Sequence, residues 1–443
     1  MTTTKNNEHK KLNFSSEREQ SQACLNSAEH EKNQGRKVLN VPNLRFPEFQ
    51  GEWEKCKVSD LLDFYSTNSL SWDKLEYGTT NIQNLHYGLI HVGLPTMVDI
   101  DKDNLPNIID GNVPKNYELC KEGDIVFADA SEDTNEVAKA VEYYNLNGKK
   151  VVCGLHTIHG RDNKNKTVVG YKGYAFSSMS FHHQIRRIAQ GTKIYSINSK
   201  NFSECYVGIP SKDEQQKIAD LLRLIDERIA TQNKFIAKLQ SLIKGINQRV
   251  FMNSGTNYKL GEICEIRNGY SGSQHLSKKG LKVSRIETIS GHKVNMERVG
   301  YVAPFESSEN YRLQVGDILF SNINSVEYIG NTAFIDKDYD LYHGMNLLRL
   351  TPNNMVVIPF YLYLLLNTNR MLNRFKTVCN KAVSQASINQ TELGKTVVQI
   401  PDINAQKQIC ELYQALYDKL ESEKYANSLF QKQKQYLLRQ MFI

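Results

Sequence analysis

The chain repeats itself at a distance of 191 residues. Ser196-Ile197-Asn198, followed by Ile209-Pro210-Ser211-Lys212-Asp213-Glu214-Gln215-Gln216-Lys217-Ile218, returns as Ser387-Ile388-Asn389, followed by Ile400-Pro401-Asp402-Ile403-Asn404-Ala405-Gln406-Lys407-Gln408-Ile409. That period exceeds the roughly 20–50 residues of solenoid and propeller repeats. The duplicated unit is therefore a domain together with the helix that follows it. Two copies of one domain on one chain suit a protein that reads two sites a fixed distance apart.

The helices after each copy carry the clearest periodicity. Ile218, Leu222, Ile225, Ile229, Ile236, Leu239, Ile243, Ile246 and Val250 follow each other in steps of four and three, with one polar interruption at Gln232. This spacing predicts a coiled-coil seam, on the order of 50 Å long at ~1.5 Å per residue. The second copy places Ile409, Tyr413, Leu416, Leu420, Phe430, Leu437 and Met441 in the same register. Its polar seam residues, Glu423, Asn427 and Lys434, are suited to fix pairing with the first helix. An antiparallel intramolecular pair, with a domain at each end of the rod, is the expected closure.

Inside both copies a Gly-Asp turn leads into an apolar run: Gly123-Asp124-Ile125-Val126-Phe127 and Gly316-Asp317-Ile318-Leu319-Phe320. Each run reads as a buried strand. Lys57-Val58-Ser59-Asp60-Leu61-Leu62 pairs in the same way with Lys259-Leu260-Gly261-Glu262-Ile263-Cys264. With helical stretches such as 359–375, the class is α+β: two mixed α/β domains joined by two long antiparallel coiled-coil helices, duplicated with pseudo-twofold symmetry. The expected divisions are a flexible polar tail at 1–40, domains at 41–209 and 253–400, and spacer helices at 210–252 and 401–443.

At 443 residues, 40% hydrophobic and 23% charged, the composition is that of a globular protein with ample core. The longest apolar run, at 361–366, is far shorter than the ~20 residues of a membrane span, and no signal-peptide core opens the chain. A cytoplasmic protein is expected. Eight cysteines are scattered without a Cys-x-x-Cys pair, which reads as reduced thiols. The net charge of +7 is compatible with a polyanionic partner.

Enzymatic signatures are missing. The sequence holds no phosphate loop or Gly-x-Gly-x-x-Gly turn, no Gly-x-Ser-x-Gly elbow, and no Asn/Asp-Pro-Pro-aromatic motif of amino-methyltransferases. Pro401-Asp402 lacks a following Glu-x-Lys and heads a coiled-coil helix. No catalytic residue is expected. Cys153, His156 and His159, with His182 and His183 in the same domain, have metal-binding chemistry, but no second compact ligand pair accompanies them. No metal is expected.

Candidate nucleic-acid contacts are amide- and cation-rich segments, because Asn can bond adenine bidentately and Arg guanine. In the second copy these are Ser321-Asn322-Ile323-Asn324-Ser325, read as a loop after the Gly-Asp strand, with Arg267, Asn268, Tyr270, Ser271, Lys278 and Lys279. In the first they are Arg186, Arg187, Gln190, Thr192 and Lys193. The first copy's counterpart to the Asn loop, residues 128–133, is acidic (Asp129, Glu132, Asp133). The two domains are thus expected to read different sequences.

These features together resemble the specificity subunits of Type I restriction–modification enzymes. The residues carrying the resemblance are Leu44-Arg45-Phe46-Pro47 with Trp53, the two Gly-Asp-Ile strands, Gly191-Thr192 with Ser196-Ile197, and the Ile-Pro…Glu-Gln-Gln-Lys-Ile start of a heptad helix. The likeness spans about residues 41 to 443. It implies two target recognition domains, each reading half of a bipartite double-stranded DNA target, and two helices acting as a ruler. It further implies two modification (methyltransferase) subunits that use S-adenosylmethionine, and restriction subunits that use ATP and Mg, with no cofactor in this chain. The second copy departs from the pattern: Ala405 replaces the glutamate, and Ala382-Val383 stands where Gly191-Thr192 stands in the first. Two other readings compete: a recognition subunit serving a fused nuclease–methyltransferase, and a coiled-coil scaffold that binds proteins.

Overall fold

A computed structural model describes residues 39–251, 255–274, 278–381 and 385–443. Of the tail expected at 1–40, residues 1–38 lie outside these. Asn40 is already part of the folded chain, since its carbonyl accepts from the Trp53 amide at 2.8 Å. The chain forms two compact units, one running to Glu227 and including Lys432–Ile443, the other spanning Arg228–Gln431. The long helices Lys212–Val250 and Ile403–Gln440 therefore each contribute to both units.

The first unit is built around the strand Ile125–Ala128, every residue of which is buried. It lies antiparallel between Thr157–Arg161 and Ala140–Asn145, and Asp63–Tyr65 and Met97–Asp99 complete the five strands. In the second unit Ile318–Ser321 lies likewise between Leu347–Pro352 and Thr332–Phe334, with Cys264–Asn268 outermost. A strand buried on both faces needs the unbroken apolar run seen in the sequence.

The Gly-Asp pair starts each strand by the same local chemistry. Gly123 and Gly316 have φ of 82° and 100°, the left-handed region that glycine enters without steric cost. Asp124 and Asp317 then accept from the amides of Lys121 and Gln314, both at 2.8 Å, reaching back to the first residue of the turn and holding it closed. Two helices cover each sheet: Tyr171–Phe176 and Met179–Ile188, then Pro359–Leu366 and Asn369–Val378. Ser178 and Thr368 cap the second of each pair. Edge-on aromatic pairs fix the packing, with Phe127–Phe176 at 4.9 Å and Phe320–Phe375 at 5.0 Å.

The long helices run antiparallel within each unit. In the second, Tyr413 reaches Asn247, Glu423 accepts from Gln232, and Asn427 donates to Asn233 at 2.9 Å. In the first, Lys434 pairs with Asp226 at 2.6 Å. The polar seam residues Glu423, Asn427 and Lys434 all find partners on the first helix. Ile218, Leu222, Ile225, Leu239, Ile243, Leu420 and Leu437 are buried, whereas Ile229, Ile236, Ile409, Leu416 and Phe430 are half-buried. Gln232, the interruption in the first seam, is 7% exposed.

Candidate nucleic-acid interface

A short ribbon projects from the central sheet of each unit. In the first, Ala130–Ser131 pairs antiparallel with Tyr195–Ser196, and Gln190 and Ser196 bridge to close a tight turn. Gly191 makes that turn possible: its φ is 138°, and a Cβ there would collide with the Ile194 carbonyl. Gln190, Thr192 and Lys193 are thereby exposed on the tip. The ribbon lays them beside the acidic segment, where the Asp129 carbonyl accepts from Ile197 N at 3.0 Å. Arg186 joins the same surface by donating to Asn135 Oδ1 at 3.0 Å. Arg187, one residue on, lines a different hollow with Lys55 and His183.

Between ribbon and sheet lies a cleft lined by Tyr87, His91, Glu132, Asp133, Lys139 and His156, among others. Tyr87 meets His156 edge-on at 5.3 Å and lies 4.7 Å from His86, which in turn lies 4.6 Å from Trp72. Burial, and to a lesser degree the neighbouring His156, lowers the pKa of His86. Sequence spacing did not single out Trp72, Tyr87 or His91. The aromatic and imidazole density of His86-Tyr87-Gly88-Leu89-Ile90-His91 was the available signal.

In the second unit Ile323–Asn324 pairs with Ala386–Ser387, which also pairs with Asn380–Lys381. The Asn322 carbonyl accepts from Ile388 N at 2.9 Å, matching the Asp129–Ile197 bond of the first unit. The segment read as a loop is thus the end of one strand and the start of the next. Ser321 is fully buried and Asn322 only 8% exposed, so neither is offered to solvent. Ser321 Oγ accepts from Asn324 Nδ2 at 3.0 Å. Asn324 is half-buried, and the exposed positions begin at Ser325 and run to Tyr328.

The other candidates are divided. Arg267 is exposed and ion-paired with Glu265 at 2.5 Å. Asn268 donates to Gln390 Oε1 at 3.0 Å, just beyond the ribbon strand Ala386–Ser387. Tyr270 is taken up in an aromatic cluster, stacked on Phe305 at 4.0 Å and edge-on to Tyr311. Ser271, Lys278 and Lys279 are exposed. The Ala382-Val383 departure lies outside the described residues.

The start of each long helix shows what the duplicated motif holds. Gln215 is fully buried; its amide donates to the carbonyls of Pro210 and Lys166 at 2.9 and 3.1 Å and accepts from Val168 N at 2.9 Å. Gln406 repeats all three bonds, to Pro401 at 2.9 Å, Val356 at 3.1 Å and Ile358 N at 2.7 Å. Glu214 makes different bonds. It accepts from Arg45 Nε and Nη2, both at 2.7 Å, and from Trp53 Nε1 at 3.3 Å. The Leu44-Arg45-Phe46-Pro47 segment and Trp53 are anchored by that carboxylate.

Among the described residues no helix is long and apolar enough to cross a membrane. Two solved structures share the fold. One is the S subunit of a Type I restriction-modification system from M. genitalium (TM-score 0.54, 16% identity, covering 91% of this chain and 99% of that one). The other comes from work on complex assembly and conformational transition of the type I R-M system (TM-score 0.57, 15% identity, covering 87% and 96%). The chain is 44% identical over 158 residues to the MjaX type I restriction enzyme specificity subunit of Methanocaldococcus jannaschii, covering 35% of this chain and 37% of that protein. It is 25% identical over 342 residues to the EcoKI specificity subunit of Escherichia coli K12, covering 69% and 71%. Residues 51–241 and 254–428 each match the family described as the Type I restriction modification DNA specificity domain. With both halves of its duplicated sequence accounted for in this way, the chain belongs to the Type I restriction-modification DNA specificity family.

Proposed function

We propose that this chain is the DNA-reading subunit of a Type I restriction–modification complex and is itself non-catalytic. Each unit reads one half of a bipartite, asymmetric target in double-stranded DNA. Two modification subunits, using S-adenosylmethionine, methylate adenine at the sites so chosen, and restriction subunits using ATP and Mg act on unmodified DNA. The complex works in the cytoplasm.

One observation carries the asymmetry: each unit builds a ribbon at the end of its central strand, tied by the Asp129–Ile197 bond in one and the Asn322–Ile388 bond in the other, while the exposed positions differ in charge and chemistry. The first unit presents Gln190, Thr192 and Lys193 next to Asp129, Glu132 and Asp133; the second presents Ser325 to Tyr328, with Asn324 half-buried beside them. Lysine and arginine supply affinity through phosphates, and the amide and carboxylate groups discriminate base edges. Ser321 and Asn322 shape the second ribbon from within. The test is a genome-wide map of adenine methylation in the host with and without this gene. Loss of one bipartite motif is expected, and an unchanged map would overturn the proposal.

A further inference from the structure

Sulphur and nitrogen donors converge in the core of the first unit. Cys120 precedes the Gly-Asp turn, Cys153 ends the strand Val151–Cys153, and His159 lies in Thr157–Arg161; they are 6%, 2% and 0% exposed. The two Sγ atoms are 3.4 Å apart, and one ring nitrogen of His159 lies with them inside 4.8 Å. Tyr143 is fully buried, with its hydroxyl beside both thiols.

The imidazole is prepared as a ligand. Its Nε2 lies 2.7 Å from Asp124 Oδ2, and Arg161 donates to both oxygens of that carboxylate at 2.8 Å. An ionised carboxylate only accepts, so Nε2 carries the proton and Nδ1 presents a bare lone pair. Nδ1 is buried with no hydrogen-bond partner among the described residues, which disfavours an empty site. A carboxylate behind an imidazole is the arrangement that fixes the tautomer of metal-binding histidines.

The duplication supplies an internal control. Gly123 N donates to the Tyr143 carbonyl as Gly316 N does to Ile335. His159 stands opposite Val126 as Arg349 stands opposite Leu319, and the bridge Leu119–Val152 corresponds to Arg312–Tyr342. The positions of Cys120, Tyr143, Cys153 and His159 are therefore filled in the second unit by Leu313, Ile335, His343 and Arg349. The same scaffold closes there without the donor set, so packing alone does not call for it.

We propose that Cys120, Cys153 and His159 bind a thiophilic divalent ion of the zinc type, with the Tyr143 hydroxyl at the fourth position. Two thiolates and an imidazole suit such an ion, whereas magnesium and calcium require oxygens. Two thiolates also neutralise its charge, as a buried site demands. On binding, each thiol gives its proton to solvent as its sulphur bonds the metal. The ion would pin the strand Val151–Cys153 to Thr157–Arg161 and so fix the intervening His156, which pairs with Asp129 at 3.3 Å on the cleft wall.

The test is a titration of the full chain, reduced and stripped with chelator, with Co2+ alone and then Zn2+. One equivalent of Co2+ should bind with a near-ultraviolet thiolate-to-cobalt charge-transfer band and tetrahedral visible bands, and Zn2+ should displace it. Cys120→Ser and Cys153→Ser should each abolish the band and weaken binding roughly tenfold or more, whereas Cys410→Ser should leave both unchanged. Absence of saturable one-to-one binding by the wild-type chain would overturn the site, and this result needs no variant to fold. Persistence of the band in the Cys120→Ser/Cys153→Ser double variant would overturn it equally.

Discussion

The two helix starts, at Gln215 and at Gln406, are alike in one residue and unlike in its neighbour. Both glutamines make the same three buried bonds to their own domain. The residue before them is Glu214 in one copy and Ala405 in the other. In the first unit the incoming chain is a separate segment that must be tied down, and Glu214 ties it through Arg45 and Trp53. There Phe442, at the end of the second long helix, packs edge-on against Trp53 at 6.4 Å. In the second unit the chain arrives directly from the first long helix, and Phe251 lies 5.4 Å from Tyr361 and 6.0 Å from Tyr413. Covalent continuity does there what an ion pair does in the first unit, so Ala405 leaves no bond unmade. Duplication kept the clamp and dropped the anchor.

The comparison breaks most sharply at the glutamines. Gln215→Ala or Gln406→Ala strands a buried amide and two carbonyls, at roughly 3 kcal/mol or more. The cost should be similar in the two units when hydrogen exchange follows each; a large difference would show that the clamps are not equivalent. Glu214→Ala should cost about 2–4 kcal/mol, because it leaves Arg45 without its partner at a nearly closed site. Both tryptophans, Trp53 and Trp72, belong to the first unit, so denaturation followed by tryptophan fluorescence isolates that loss. Protection in the second unit should not change.

Acid should loosen both units, through different groups. Burial, with the charge of Arg349, pushes His343 down to about 4, while an unfolded histidine titrates near ~6.5. The folded value is the lower, so its contribution is complete above pH ~6.5 and is lost as pH falls toward 4, amounting to at most about 3 kcal/mol. In the first unit burial lowers His86 and His182 as well. Asp124, held low, contributes above its unfolded value near ~3.9 and is lost only below that. His343→Gln should flatten the pH dependence of exchange in the second unit between pH 6.5 and 4 and leave the first as it was. The smallest effect is at the ribbon tip: Lys193→Ala should weaken DNA binding by about 1 kcal/mol and reduce the salt slope by about one. Its methylation pattern should change at one half-site at most.

Much of this architecture was written in patterns that sequence displays directly. The heptad spacing of Ile218 to Ile243 and the Gly-Asp turns depend on neighbours a few residues apart, so periodicity and turn chemistry expose them. The helix starts were visible as a repeated motif, but the roles of Gln215 and Glu214 were not, since their partners at Lys166, Val168, Arg45 and Trp53 are distant along the chain. The same limit applies to Cys120, which meets Cys153 across strands 33 residues apart. Ser321 and Asn322 were misplaced for another reason. Polar residues after a strand read as a loop, yet here the ladder continues, both residues are covered, and exposure begins only at Ser325.

The division of the long helices has a consequence for synthesis. The second unit is one continuous stretch, Arg228–Gln431, whereas the first needs Lys432–Ile443 to be complete. A ribosome releases the bulk of the first unit early but supplies its closing segment only after the second unit. The unit begun first is therefore completed after the one begun second. Until then its apolar core lacks Leu437, Met441 and Phe442, and this interval is the one in which a nascent chain would be most exposed to aggregation and to chaperone capture.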